Sequence, residues 1–274
     1  MSDDRAGYQG VPEWRHALGD SWLATVPTAD RQFAPLTGAA LDALGVAAGQ
    51  RALDVGCGVG STTLEIARRV APTGSVVGID VSPTLAGEAR RRLARWPAIS
   101  IVEGDAQTHD LGDARFDVIH SRLGVMFFED AVAAFTNLRR AVRRDGALAF
   151  TCWQGIEHNP WMSEVGRALI GHVDIPRPAP PGAPGAFSFA DPYMVRAVMG
   201  NAGWTDLKLE PIQWSVGFES PEELAALAPA NFLLAPADAA TRRRAVDALV
   251  EAIGERGSFD YAAWLVSCRP GSGR

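Results

Sequence analysis

The sequence predicts an α/β fold in which helices cover both faces of a doubly wound, parallel sheet. Short apolar segments alternate with amphipathic segments between residues 51 and 155. The apolar segments are almost continuously apolar, as expected for parallel strands that are buried on both faces. A glycine-rich turn follows the first of them, at Gly56 to Gly60, and glycines there allow a tight passage from strand to helix.

Five strands are expected in the first part of the chain, at 51–55, 75–79, 99–102, 116–119 and 146–151. Helices are predicted between them, because Pro72 and Pro97 end two amphipathic stretches and Asp130 precedes a third. Thr62 and Glu65 have the spacing of a capping box at the start of the first of these helices. Strands that alternate with helices pair in parallel through right-handed crossovers.

The alternation weakens beyond residue 155. The segment 176–184 is rich in Pro and Gly and predicts a surface loop. Asp191-Pro192 and Ser220-Pro221 predict two helix starts, and two late strands are predicted at 208–216 and 261–268. We expect five regions: a helical N-terminal segment (1–49), a cofactor-binding core (50–155), its continuation (156–218), a helical insertion that serves as a lid (219–257), and a last strand with a tail (258–274).

Composition limits the possible classes of protein. The chain of 274 residues has 47% hydrophobic and 21% charged residues, as in globular domains. A formal net charge of −6 disfavours nonspecific binding of nucleic acid. The N-terminus lacks the features of a secretory signal, no apolar run is long enough to cross a bilayer, and the three cysteines lie far apart. We therefore expect a cytoplasmic protein, a monomer or homodimer, without a metal, nucleic acid or membrane partner.

The strongest local signal is the segment that joins the first strand to the next helix. Asp54 precedes Gly56, Cys57, Gly58 and Gly60. The spacing G-x-G-x-G differs from the G-x-G-x-x-G of dinucleotide sites. A carboxylate at this place would repel a pyrophosphate, whereas S-adenosylmethionine has no phosphate and carries an ammonium and a sulfonium. The segment favours a ligand of that kind.

Two further acids end the second and third strands. Asp80 can accept hydrogen bonds from both hydroxyls of a ribose. Asp105 can receive an adenine amino group, while the Ala106 amide reaches a ring nitrogen. Any one of these acids could equally be a helix N-cap. Acids at the ends of three successive strands instead favour one shared ligand.

The chain resembles class I S-adenosylmethionine-dependent methyltransferases of the type related to ubiquinone and menaquinone biosynthesis. The matching stretches are LDVGCGVG, VVGIDVS, VEGDAQ, FDVIHSRLGVMFF and LRRAVRRDGALAFTCW, within residues 51–153. The resemblance implies a Rossmann-like sheet of seven strands, the last antiparallel. It places Gly56, Gly58 and Gly60 near the methionine part of the cofactor, and S-adenosylhomocysteine would be the product. It also assigns Asp80 to the ribose, Asp105 and Ala106 to the adenine, Val81 to the adenine face, and Ser121 and Arg122 to the floor.

Candidate catalytic residues are few. A hydroxyl or enol acceptor benefits from a base, and His158 and His120 lie just past the fifth strand and at the end of the fourth. Each has a structural alternative, as a loop or core histidine. No Asn/Asp-Pro-Pro-Tyr/Phe motif follows the fourth strand, which disfavours amino groups of DNA or protein as substrates. Seven aromatic residues are expected around the mouth and favour an apolar or planar acceptor: Trp14, Trp22, Phe33, Phe127, Phe128, Trp153 and Trp161.

The motifs favour methyl transfer from S-adenosylmethionine to the oxygen or activated carbon of a small molecule; they leave two other functions open and disfavour a third. A protein of this family could use the cofactor without transferring its methyl group, to catalyse a cyclisation or rearrangement. A module that only binds S-adenosylmethionine would carry the same motifs. A nicotinamide-dependent oxidoreductase is disfavoured by the glycine spacing and by Asp54.

Overall fold

The computed structural model describes residues 11–175, 182–218, 220–234 and 236–271. Most of the loop predicted at 176–184 lies outside the described residues, as do the first ten residues of the N-terminal segment and the last three of the tail. Between residue 11 and the sheet lie three helices: α1 (Val11–Arg15), α2 (Ala17–Gln32) and α3 (Ala34–Leu44). No helix among the described residues has the length and apolar character needed to span a membrane.

The described residues form one sheet of seven strands: β1 (Arg51–Val55), β2 (Ser75–Asp80), β3 (Ile99–Glu103), β4 (Phe116–Arg122), β5 (Val142–Trp153), β6 (Trp204–Gly217) and β7 (Ser258–Pro270). Their order is β3-β2-β1-β4-β5-β7-β6. β1 to β5 pair in parallel, and β7 is antiparallel to both of its neighbours. The predicted doubly wound sheet with an antiparallel last strand is confirmed.

The remaining helices follow the strands: α4 (Ser61–Val70), α5 (Pro83–Leu93), α6 (Ala131–Ala141), α7 (Pro160–Leu169), α8 (Pro192–Asn201), α9 (Pro221–Ala225), α10 (Ala228–Leu234) and α11 (Ala239–Ile253). The predicted N-caps Asp130, Asp191 and Ser220 are confirmed, because each accepts a hydrogen bond from an amide of the first turn. The prediction of a capping box at Thr62 and Glu65 is wrong. α4 begins at Ser61 after Gly60, and the Thr62 hydroxyl donates to Asp54 instead.

Each face of the sheet packs against its own helices. Leu53, Ile119 and Phe150 belong to a core that continues into α6 and α8. Ala52, Val118 and Ala149 lie in a second core with residues of α3 and α4. Because side chains alternate along a strand, Asp54 shares the face of Ala52 and points toward α4.

The region between β6 and β7 contains α9, α10 and α11. α10 packs against α2 and α7, and α11 packs against α7 and α9. β6 and β7 pair from Trp204 with Pro270 to Gly217 with Ser258, so both strands are longer than predicted. The antiparallel pairing of the two strands carries both of them beyond the segments predicted from the sequence.

Candidate functional site

A cavity of about 1250 Å³ lies at the carboxyl ends of the parallel strands. Ligands of open α/β sheets bind at this edge. Its wall has two parts. The first, here called the cofactor half, is formed by the segments after β1, β2 and β3. The second, the acceptor half, is formed by the segment after β5 with α7, and by α1, α2 and residues 182–192.

The glycine-rich turn is shaped by hydrogen bonds to β2. The amides of Gly56 and Cys57 donate to the Ile79 carbonyl. Gly56 has a φ of 67°, and a Cβ on it would lie 2.9 Å from the Cα of Gly124. A side chain is therefore excluded where the turns after β1 and β4 cross.

Gly58 and Cys57, two of the residues predicted to bind the cofactor, line the cavity, whereas Gly60 does not. A Cβ on Gly60 would lie 2.4 Å from the Leu93 side chain, so this glycine serves the packing of α4 against α5. Burial raises the pKa of the Cys57 thiol, and the carboxylates of Asp80 and Asp54 raise it further. Cys57 therefore stays protonated and contributes shape only.

Asp80 joins the glycine turn to the end of β2. Its Oδ2 accepts the Gly58 amide at 2.7 Å and its Oδ1 accepts the Ser82 amide at 2.9 Å. The side chain lines the cavity although only 7% of the residue is exposed. Burial raises the pKa of Asp80 to about 6, although the backbone hydrogen bonds lower it. A carboxylate has about four acceptor positions, so Asp80 can still accept both hydroxyls of a ribose.

The residues that are expected from the sequence to bind adenine also line the cavity. Asp105 is half-buried and accepts the Gln107 amide at 2.9 Å, while Ala106 is buried beside it. Val81 continues the same wall after β2. The residues at the ends of β2 and β3 thus line one cavity, and their role in binding a nucleoside stays a prediction.

Asp54 and His120 lie elsewhere, which corrects two expectations. Neither residue lines the cavity; Asp54 is 0% and His120 1% exposed. His120 Nδ1 lies 2.8 Å from Asp54 Oδ1, and the hydroxyls of Thr62 and Thr63 donate to Oδ2. Burial raises the pKa of Asp54. The hydrogen bond and charge of His120, together with the two threonine hydrogen bonds, outweigh this effect, so the pKa of Asp54 is lowered. This pair fastens β1, β4 and α4 together and touches no ligand space.

Ser121 and Arg122 end β4 and differ in position. Ser121 is fully buried and donates to the Val55 carbonyl at 2.8 Å, so it supports the floor without reaching the cavity. Arg122 lines the cavity and pairs with Asp30 of α2 at 2.9 Å. Asp30 also accepts the Ser61 hydroxyl at the start of α4. Sequence reasoning missed Asp30, since no motif surrounds it and its partners lie far along the chain.

The acceptor half is aromatic. All seven aromatic residues expected at the mouth line the cavity, and Phe187 and Trp264 join them. Trp153 lies 5.1 Å from Trp161 and 5.9 Å from Trp214 between ring centroids. Such a wall offers flat apolar area and excludes water from a bound ring.

The turn between β5 and α7 is held by Asn159, which sequence reasoning also missed. Asn159 is fully buried; its amide donates to the carbonyls of Gln154 and Ala262, and its Oδ1 accepts the Trp161 indole at 2.8 Å. This network fixes the turn that carries Glu157 and His158. Both side chains line the cavity, with His158 Nε2 3.7 Å from Glu157 Oε1. His158 therefore has access to a ligand that His120 lacks.

Comparisons with known proteins agree with this geometry. A methyltransferase-domain family matches residues 53–150. The chain is 32% identical over 121 residues to the aklanonic acid methyltransferase DauC of Streptomyces sp. strain C5, covering 43% of this chain and 55% of that protein. It is 32% identical over 103 residues to demethylmenaquinone methyltransferase of Staphylococcus aureus strain JH9, covering 38% and 43%. The YcgJ protein of Bacillus subtilis has the same fold, with a TM-score of 0.57, 15% identity and coverage of 86% and 98%.

The strand order, the glycine turn and the acids after β2 and β3 define a Rossmann-like nucleoside-binding domain. Residues 53–150 match a methyltransferase-domain family, and this part of the chain is similar to class I S-adenosylmethionine-dependent methyltransferases. The chain spans 43–55% of the length of the two curated relatives described above. The residues present fit the cofactor, because Asp80 has free acceptor positions and a Cβ on Gly58 would meet no atom within 4 Å, which leaves open space beside the turn.

Proposed function

We propose that this protein transfers a methyl group from S-adenosylmethionine to the oxygen or activated carbon of a small molecule. The observation that carries the proposal is one continuous cavity that joins the cofactor half to the acceptor half. Its volume of about 1250 Å³ exceeds the roughly 300–1000 Å³ of most ligand sites. Two ligands can therefore lie side by side in it.

In this proposal the cofactor half holds the nucleoside. Asp80 accepts the ribose hydroxyls, Asp105 and the Ala106 amide bind the adenine edge, and Val81 packs on its face. Gly56 and Gly58 leave room for the methionine part. When bound, S-adenosylmethionine supplies an electrophilic methyl group on a positively charged sulfur.

The acceptor half aligns the second ligand and keeps water away. Displacement at a methyl group requires the nucleophile in line with the leaving sulfur, and the rings of Trp153, Trp161 and Phe127 restrict a planar ligand to few orientations. His158 is placed to accept the proton that an acceptor hydroxyl loses. α10, through Leu233, closes part of this wall, in keeping with a lid at 219–257.

Two curated relatives are named for methylation of aklanonic acid and demethylmenaquinone, which supports a small-molecule acceptor. The net charge of −6 supports action without nucleic acid. The proposal also includes a cytoplasmic monomer or homodimer, which gel filtration with light scattering would test.

Purified protein incubated with methyl-labelled S-adenosylmethionine and a panel of phenols, enols and amines tests the function. We expect S-adenosylhomocysteine and labelled product from a phenol or an enol, and neither from the Asp80→Ala variant. Activity confined to amines would contradict oxygen or carbon as the acceptor atom. Consumption of an acceptor without S-adenosylhomocysteine would instead indicate a rearrangement.

A further inference from the structure

Helix α7 turns one face into the cavity. Met162, Ser163, Gly166, Arg167 and Ile170 all line it, at the three- and four-residue spacing that places side chains on one helical face. The buried residues of α7 belong to the core, and one of them, Trp161, also lines the cavity. α7 therefore forms a continuous strip of the acceptor half.

This strip ends in apolar side chains that the fold leaves uncovered. Ile156, Ile170 and Ile175 are 47%, 66% and 38% exposed, and all three line the cavity. Large apolar groups clustered at a cavity mouth are typical of a ligand-binding surface. A ligand that covers them must itself be apolar over much of its length.

Arg167 is the charged group of the strip, and it is available for a ligand. Arg122 also lines the cavity but is paired with Asp30. The guanidinium of Arg167 has no hydrogen bond or ion pair with any residue that the structure describes, and the side chain is exposed. A guanidinium binds a carboxylate through two parallel hydrogen bonds.

The rest of the wall limits which anion can bind. Among the residues that the structure describes, two arginines line the cavity with five carboxylates: Asp30, Asp80, Asp105, Glu157 and Asp191. This excess of negative charge repels any anion, and it opposes a doubly charged phosphate more strongly than a carboxylate, whose single charge the Arg167 guanidinium can neutralise. The sulfonium of the cofactor adds attraction for the same anion.

Resting on the proposed methyl transfer, we propose that the acceptor is a ring-containing carboxylic acid. Its carboxylate pairs with Arg167, and its apolar body lies along α7 and the three isoleucines toward the tryptophans. The hydroxyl or enol that receives the methyl group then points to the cofactor half, within reach of His158.

A larger side chain at Gly166 would fill the part of the cavity beside α7. A Cβ at Gly166 would meet no heavy atom within 4 Å, so a leucine enters the cavity without a clash against the fold. Gly87 in the middle of α5 is a matched control, because it is half-buried, has the same free space and does not line the cavity. Arg196 on α8 is the matched control for Arg167, since it is exposed and lies outside the cavity.

The test is calorimetry on the full chain, first with S-adenosylhomocysteine alone. The saturated complex is then titrated with 6-hydroxy-2-naphthoic acid and with 2-naphthol, which share a ring system and differ in the carboxylate. We expect the acid to bind at least tenfold more tightly than the naphthol. Arg167→Met should abolish this preference and Arg196→Met should retain it. Gly166→Leu should weaken the acid at least tenfold, whereas Gly87→Leu should not.

Two results would overturn the inference: a parent protein with no preference for the acid, including binding of neither probe, or equal behaviour of the two arginine variants. Failure of the proposed function looks different. No heat with S-adenosylhomocysteine in the first titration would contradict cofactor binding and so the proposed function. Normal cofactor binding without the preference for the acid would contradict only the proposed class of acceptor.

Discussion

The two halves of the cavity are built in different ways. The cofactor half is made of short turns after adjacent strands, and backbone amides and carboxylates hold it, as with Gly58 and Asp80. The acceptor half is assembled from distant segments, such as α2, α7 and residues 182–192, and aromatic packing holds it. The comparison indicates that the cofactor half is specified locally along the chain, while the acceptor half depends on how remote helices pack.

The largest expected effect concerns the support beneath the cofactor half. Asp54→Ala removes the partner of His120 and of two threonine hydroxyls in a fully buried site. Loss of one partner of such a pair destabilises a fold by about 3–5 kcal/mol. Urea denaturation should show a decrease of that size in the free energy of unfolding. Asp105→Ala, at a half-buried residue, should cost less than about 1 kcal/mol; equal costs would contradict a structural role for Asp54.

The next largest effect is a loss of cofactor affinity, which a change in the cofactor half alone should cause. Asp80→Ala removes the acceptor proposed for both ribose hydroxyls, and hydrogen bonds to a charged group contribute about 1.5–3 kcal/mol each. We expect affinity for S-adenosylhomocysteine to fall about 100-fold, measured by calorimetry. An unchanged affinity would show that Asp80 only shapes the glycine turn.

His158→Gln is the counterpart in the acceptor half. Removal of a general base lowers rates by about 100-fold or more, so methyl transfer to a phenol should fall by about that factor. Affinity for S-adenosylhomocysteine should stay within about twofold of the parent. A decrease in cofactor affinity without a decrease in turnover would show that His158 acts in cofactor binding, and it would contradict the proposed role of this residue as a base.

The smallest effect is a pH dependence within the cofactor half. Burial raises the pKa of Asp80 from 3.8 to about 6, so the folded state binds more protons than the unfolded state between about pH 4 and 6. Stability from this residue is complete below pH 4 and is lost as the pH rises through 6. Asparagine does not titrate. The stability of cofactor-free Asp80→Asn relative to the parent should therefore fall by about 1 kcal/mol when the pH is lowered from 7.5 to 5.

Thermal and urea unfolding at the two pH values measure this change. A difference between the variant and the parent that does not vary with pH would show that Asp80 has an ordinary pKa in the folded protein. The cofactor half would then be less buried than its geometry indicates.

Much of the cofactor half follows from local sequence. Asp80, Asp105 and Ala106 end parallel strands, and the carboxyl ends of parallel strands meet at one edge, so their proximity is a consequence of strand periodicity. Asp54 shows the limit of this reasoning. Asp54 lies one residue before the end of β1. Because side chains alternate along a strand, its carboxylate points to a face of the sheet, where it contacts His120, and not into the cavity. Both residues lie in motifs that suggested ligand contact.

The amino-acid sequence by itself determined the alternation of strands and helices, the glycine turn and the acids that follow β2 and β3. These features depend on residues close together along the chain, and local backbone preferences and burial patterns encode them. Only the tertiary structure decided that Asp30 pairs with Arg122, that Asn159 holds Trp161, and that Arg167 faces the cavity without a partner among the described residues. Such pairings join segments far apart in sequence, and packing of whole helices on the sheet brings them together.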